Sequence, residues 1–396
     1  MMPTETQTLP ERRNSAQHFI FLLLCGGFIV NGIIITFIGP ILPIFIAKWK
    51  LDDSHAGMFF ITQFVGSFVG VLGSSALISS RGFKPAITIG LAMMGIGFAL
   101  WSAPSYFLAL CASALFGIGY GLSTPGTNLW VAETYGDRRA SALNVMNLAW
   151  GVGAILCSPL AKISIRTNHV SLLLYVVGAL CCSLTIMLLR VPFGRAIHDT
   201  EPAESKDILA RADLVIAVML GVLFFVYVGT ENGISGWAAA HAKRSLIWTS
   251  DTWTLAPMFF FGGLLGGRAA GAAILRRLKE TTVAIGGLLL AAGGTAIFAF
   301  ATSQRVLFGG VFFAGLGLSS IYPIFIAWLS KWFGSRAREV GGVLFALAAL
   351  GGACLPPLVG VFSRYAGSLR IGLLVPLAGC VVMLAVVGLL RPGSRG

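Results

Sequence analysis

Twelve stretches of this chain are each apolar over about 20 residues or more, the length a helix needs to cross roughly 30 Å of hydrocarbon. They fall at 18–47, 56–79, 84–103, 106–132, 138–163, 170–191, 213–240, 252–275, 281–301, 305–330, 337–363 and 369–390. With 56% hydrophobic and 11% charged residues among 396, the chain is too apolar for a soluble globular protein. The expected fold class is an all-α membrane protein with twelve transmembrane helices in two pseudo-symmetric six-helix bundles. The expected divisions are a tail at 1–17, a first bundle at 18–191, a polar linker at 192–212, a second bundle at 213–391 and a tail at 392–396.

The two bundles are legible as copies of each other. Shifting the chain by 198 residues lays 117–160 on 315–358 without a gap. Gly117 then meets Gly315, Gly119 meets Gly317, Pro125 meets Pro323 and Trp130 meets Trp328. Gly136 meets Gly334, Arg138 meets Arg336, Val145 meets Val343, Gly153 meets Gly351, and Pro159-Leu160 meets Pro357-Leu358. Most of these residues fix backbone geometry or packing. A duplicated bundle places a binding site at the seam between halves, near the bilayer midplane.

The net charge of +13 is not a nucleic-acid footprint, because Lys and Arg gather in alternate loops between apolar spans. Placing the N-terminus in the cytoplasm puts eighteen of the 28 basic residues inside, nine outside and Arg268 within a span. This predicts cytoplasmic termini on a multi-pass protein of the cytoplasmic membrane. The seven cysteines lie in apolar windows and read as small buried residues, with no metal-ligand spacing.

Two charges stand out inside the spans. Glu231 lies about 18 residues into the seventh span, roughly one turn beyond the midplane, where an unpaired carboxylate costs about 2.5–3.5 kcal/mol or more. Gly229, Gly233 and Gly236 surround it and predict a weakened helix lining a polar space. Arg268, on the eighth span, is offset from Glu231 by on the order of 10 Å along the membrane normal; a direct pair is allowed but not implied.

The other polar groups in the spans are amides and aromatics. Asn144 and Asn147 share one face of the fifth span beside Trp150, and Asn31, Gln63, Asn128, Asn232, Trp237 and Tyr322 complete the set. Such amides also serve as interhelical glue worth about 1 kcal/mol each. Together with flat aromatic faces they suit a neutral, hydroxyl-rich solute such as a sugar.

With cytoplasmic termini and a charged central loop, the chain resembles the major facilitator superfamily. Gly117-x-Gly119-x-Gly121, Asn128, Glu133, Arg138, Asn144, Gly153 and Pro159, with their echo at Gly317, Tyr322-Pro323, Arg336, Gly351 and Pro357, look like two hairpins of that superfamily. Tyr227-Val-Gly-Thr-Glu-Asn-Gly233 followed by Trp237 is similar to the fucose-permease-like branch, whose members carry sugars, often with protons. Departures are equally specific. The loop motif Gly-x-x-x-Asp-Arg-x-Gly-x-Lys survives only as Ser75, Ser79, Ser80, Gly82 and Lys84, and its second-half counterpart has Leu275 for the acid. The positions matching the branch's proton-handling acids hold Gly39 and Thr124, which leaves Glu231 as the only candidate coupling acid.

The resemblance implies a secondary transporter of a monosaccharide working by alternating access. Its expected substrate contacts are Asn31, Gln63, Asn144, Asn147, Trp150, Glu231, Asn232, Trp237 and Tyr322, with Glu231 coupling a proton; sodium is the alternative ion. Arg268, Glu133, Arg138 and Arg336 are the expected gating or structural charges. Efflux of amphipathic or cationic compounds, uncoupled sugar facilitation and a non-transporting sensor remain alternatives. No cofactor, metal or nucleic-acid partner is expected, the superfamily default is a monomer in the bilayer, and no His-Glu-x-x-His, nucleophile elbow or phosphate loop points to an enzyme.

Overall fold

The computed structural model describes residues 9–193 and 211–390; the body of the polar linker and the tail at 392–396 lie outside the described residues. Its first half runs α1 (Leu9–Thr36), α2 (Ile38–Trp49), α3 (Asp53–Arg81), α4 (Phe83–Leu100), α5 (Tyr106–Tyr135), α6 (Arg139–Arg166) and α7 (Val170–Arg190). The second half runs α8 (Arg211–Ser245), α9 (Ala256–Leu275), α10 (Glu280–Ala299), α11 (Gln304–Leu318), α12 (Ile321–Phe333), α13 (Ala337–Ala366), α14 (Leu369–Gly372) and α15 (Leu374–Leu389). Every regular element among the described residues is helical. The first helix begins at Leu9, inside what the sequence suggested was a tail.

Among the described residues, eleven continuous apolar segments are long enough to cross a membrane. One of them, Tyr106–Arg166, has 61 residues and is folded back on itself at the 3-10 turn Gly136–Arg138, so it supplies two crossings, α5 and α6. Twelve crossings result. The first is bent between α1 and α2, the tenth between α11 and α12, and the twelfth between α14 and α15. With six crossings in each half, the start of α1, the end of α7, the start of α8 and the end of α15 lie on one face, called here the end-bearing face.

The matched residues of the two halves do matched work. Gly136 and Gly334 both take left-handed conformations, with φ of 45° and 50°, and each opens a three-residue 3-10 turn ending at Arg138 or Arg336. Positive φ is cheap only for glycine, which explains why this pair is identical. A Cβ on Gly153 would collide with the carbonyl oxygen of Ile29, and one on Gly351 with that of Phe225. Likewise Gly117 faces the carbonyl of Gln63, and Gly315 that of Phe260. Lipid tails are as apolar as leucine, so helices in a membrane associate through such close backbone approaches rather than through exclusion of water. Large apolar side chains such as Leu22, Val69, Phe107, Leu172, Val218, Leu289 and Val381 stay exposed on the outer surface, as a lipid-facing surface requires.

Within each half the helices pair equivalently: α1 with α6 as α8 with α13, α3 with α5 as α9 with α11, and α4 with α7 as α10 with α15. The seam between halves obeys the same relation, since α3 packs on α13 and α6 on α9, while α2 lies against α8.

Two expectations need correction. The seventh crossing is one unbroken helix of 35 residues, not a weakened one. Its glycines serve packing instead: a Cβ on Gly229 would reach Gly351 O and Leu355, and one on Gly236 would strike the Phe60 ring at 2.5 Å. Nor are all seven cysteines buried. Cys157, Cys181 and Cys380 are, whereas Cys111 and Cys354 are exposed on the apolar exterior. Cysteine is a small hydrophobe, and in lipid an outward position satisfies it as well as an inward one.

Candidate functional site

A cavity of about 330 Å³ lies at the seam. From the first half it is lined by Asn31, Gln63, Tyr120, Thr124, Asn128, Asn147 and Trp150, among others, and from the second by Tyr227, Glu231, Asn232, Phe261, Arg268 and Tyr322. Seven of the nine sequence-nominated contacts are thus brought together from five crossings. The two halves contribute different chemistry: four of the five lining amides come from the first, and both charges come from the second.

The amides are anchored rather than loose. Asn31, 2% exposed, donates through Nδ2 to Thr124 Oγ1 at 3.3 Å, and Gln63, 3% exposed, points Nε2 at the carbonyl of Ile35 at 3.5 Å. A carbonyl can only accept, so the Gln63 amide must turn its NH2 that way and leave Oε1 without a protein partner. Asn31 Oδ1 is likewise unpartnered. Asn232 returns its Nδ2 to Val228 O on its own helix at 2.9 Å. On the aromatic side, Trp150 meets Phe261 edge-on across the seam at 6.0 Å, and Tyr322 stands between Phe224 and Tyr227.

Glu231 and Arg268 form no direct ion pair, yet the two charges act on each other, and the Tyr227 hydroxyl interacts with both. That hydroxyl also donates to Leu318 O at 3.3 Å. Tyr120 and Tyr322 come close enough to sense the Glu231 charge as well. The guanidinium Nε of Arg268 is buried without an acceptor.

Two nominated contacts are elsewhere. Trp237 is fully buried, donates its indole N–H to Pro356 O at 2.8 Å and packs on Phe60 at 6.1 Å; its polar edge is spent on structure. Asn144 is exposed one turn beyond Asn147 toward the end-bearing face, outside the cavity lining. Glu133 and Arg138 are exposed near the α5–α6 turn, and Arg336 is part-buried in the equivalent turn of the second half. Glu133 and Arg336 are each engaged with neighbours.

The sequence reading missed Tyr120 and Tyr227 as lining residues. Tyr227 stands four residues before Glu231 on one helix face, a spacing that could have revealed it. Tyr120 lies between the close-packed glycines 119 and 121, which hid it among packing residues.

It also missed a latch on the face opposite the ends. Asp53, at the start of α3 and 8% exposed, accepts from Arg244 of α8 through both oxygens, at 2.7 and 2.8 Å, and from Ser363 Oγ of α13 at 2.6 Å. Arg364 reaches Asp52 at 3.4 Å. The backbones also close up here, since a Cβ on Gly57 would lie 2.9 Å from Pro357 Cα, and Gly39 abuts the Ser235 carbonyl and Pro257. These contacts join the halves between the cavity and the opposite face, so the cavity is shut on that side. Asn144 and Asn147, by contrast, are exposed along the seam toward the end-bearing face.

Residues 24–303, more than half of the chain, match the sequence profile of the Major Facilitator Superfamily. The human sodium-dependent glucose transporter 1 is 23% identical over 151 residues, which span 36% of this chain and 28% of that protein. The solved D-xylose-proton symporter superposes with a TM-score of 0.77 at 15% identity, over 94% of this chain and 97% of its own. A variant of the E. coli fucose:proton symporter superposes at 0.64 with 19% identity, over 93% and 98%. The chain belongs to the Major Facilitator Superfamily and is a multi-pass membrane protein.

Proposed function

We propose that this protein is a secondary transporter of small hydroxyl-rich solutes of monosaccharide size, working by alternating access in the cytoplasmic membrane with both termini inside. The observation that carries the reading is the cavity: set at the seam of two pseudo-symmetric halves, about 330 Å³ in volume, and near the lower end of the ~300–1,000 Å³ usual for ligand pockets. Its amides and hydroxyls offer both donors and acceptors, and Trp150 and Phe261 offer flat apolar faces for a ring. The sugar-carrying solved relatives and the partial human match point the same way.

Glu231 is the group proposed to take the proton, being the only carboxyl in the lining. Arg268 shares the cavity and argues against efflux of lipophilic cations, which would need an uncompensated carboxylate. In the conformation described, the Asp53–Arg244–Ser363 latch closes the outer face, and the site communicates inward. Counterflow of a panel of radiolabelled monosaccharides in proteoliposomes tests the assignment. Exchange of at least one aldose, competed by its unlabelled form and not by lipophilic cations, is the expected result; no exchange of any sugar would refute it.

A further inference from the structure

The charges of the cavity constrain the substrate beyond its size, on the reading above that Glu231 takes the proton and that monosaccharides enter. Facing Glu231 are Tyr120 from α5, Tyr227 from its own helix, Arg268 from α9 and Tyr322 from α12; what α1, α3 and α6 add is amide, hydroxyl, aromatic or aliphatic, and none of it is charged. Arg268 is the only cation in this wall. With Glu231 ionised the two charges cancel. Once Glu231 accepts a proton, Arg268 is left as an uncompensated cation inside the bilayer, in a site whose remaining groups cannot become anionic cheaply.

A neutral sugar does nothing to relieve that excess, whereas a solute bearing one carboxylate removes it. Arg268 is poised for such a partner. It makes no direct ion pair with Glu231 and keeps Nε without an acceptor, while the neighbouring Tyr227 hydroxyl donates to Leu318 O. A guanidinium presents two parallel N–H donors to a carboxylate, a geometry an aldose hydroxyl does not match.

We propose that the proton-coupled substrate of this site is a monocarboxylated sugar, its carboxylate held by Arg268 while one proton rides on Glu231, so that the loaded cavity is electroneutral. Neutral aldoses then cross only with Glu231 ionised, without a proton. Asn31 and Gln63, whose side-chain oxygens have no protein partner, line the first-half wall of the same cavity.

The test uses proteoliposomes of the full chain with matched probes, D-glucuronate against D-glucose and D-galacturonate against D-galactose. An imposed pH gradient should accumulate the uronate about tenfold per pH unit, as one-to-one electroneutral coupling requires. A potassium-valinomycin potential should leave that accumulation unchanged, and the aldose should equilibrate without accumulating. Arg268→Gln should weaken uronate uptake more than tenfold and Arg268→Lys, which keeps the charge, less, with both variants monodisperse and melting near the parent protein. Aldose transport with no uronate transport, potential-driven uronate uptake, or equal losses for the Gln and Lys variants would overturn the proposal while leaving the transport assignment standing. Failure of every sugar and every uronate to move would overturn the underlying reading as well.

Discussion

Removing the charge of Asp53 should open the face opposite the chain ends. In the structure its carboxylate takes a bidentate guanidinium contact from Arg244 and a hydroxyl from Ser363, all three arriving from the opposite half of the molecule. Breaking a fully buried pair costs about 3–5 kcal/mol. Here the Asp53 side chain is 9% exposed but that of Arg244 is 41% exposed, so solvent recovers part of the loss and about 2 kcal/mol is a fair figure for Asp53→Asn. The contacts exist only while the halves are closed on this side, so the loss falls on the conformational equilibrium more than on the fold. Two kcal/mol corresponds to about a 30-fold change in population.

The assay is maleimide labelling of Phe60→Cys, in a background lacking the seven native cysteines, by a membrane-impermeant reagent applied from the latch side. Phe60 is 1% exposed and packed on Trp237, so its substitute becomes reachable only when the halves part. Asp53→Asn should raise the labelling rate by about the same 30-fold. The exchange Asp53→Arg with Arg244→Asp should restore much of the closure. Unchanged labelling in Asp53→Asn, or no recovery in a well-folded exchange variant, would show that the latch does not hold this face shut.

Other predictions are independent of the latch. Gly153→Ala and Gly351→Ala should each lower stability by about 1–3 kcal/mol, because each new methyl meets a backbone carbonyl; thermal melts in detergent should show similar losses at both, and a loss at one alone would break the equivalence of the halves. Trp237→Phe should cost about 1 kcal/mol through the lost bond to Pro356 O and leave substrate affinity unchanged, as titration calorimetry can check. Asn31→Ala and Gln63→Ala should weaken binding of the transported solute by about 1–1.5 kcal/mol each, whereas Asn144→Ala should not.

The fold was legible in the sequence because its determinants are local and redundant. Span length is a matter of composition, and the duplicated glycines mark backbone contacts where no other residue fits, as Gly153 against Ile29 and Gly351 against Phe225 show. Glu231 and Arg268 were conspicuous because charge is expensive in the bilayer, and both line the cavity. Tyrosines 120 and 227 were not, because an aromatic residue in an apolar helix looks the same whether it faces lipid, core or cavity. Trp237, placed outside the lining, shows the same thing in reverse: nothing local tells an indole that donates to Pro356 from one that faces a ligand. The latch was invisible for another cause. Asp53 and Arg244 sit at helix ends, 191 residues apart, where charges are ordinary, and only the meeting of the halves makes them partners.

The most direct test of the account is pH-driven accumulation of the transported solute by the parent protein and by Glu231→Gln, with counterflow measured on the same vesicles. The account predicts that the glutamine variant still exchanges solute but no longer concentrates it when a pH gradient is imposed. Undiminished concentration by the variant would contradict it.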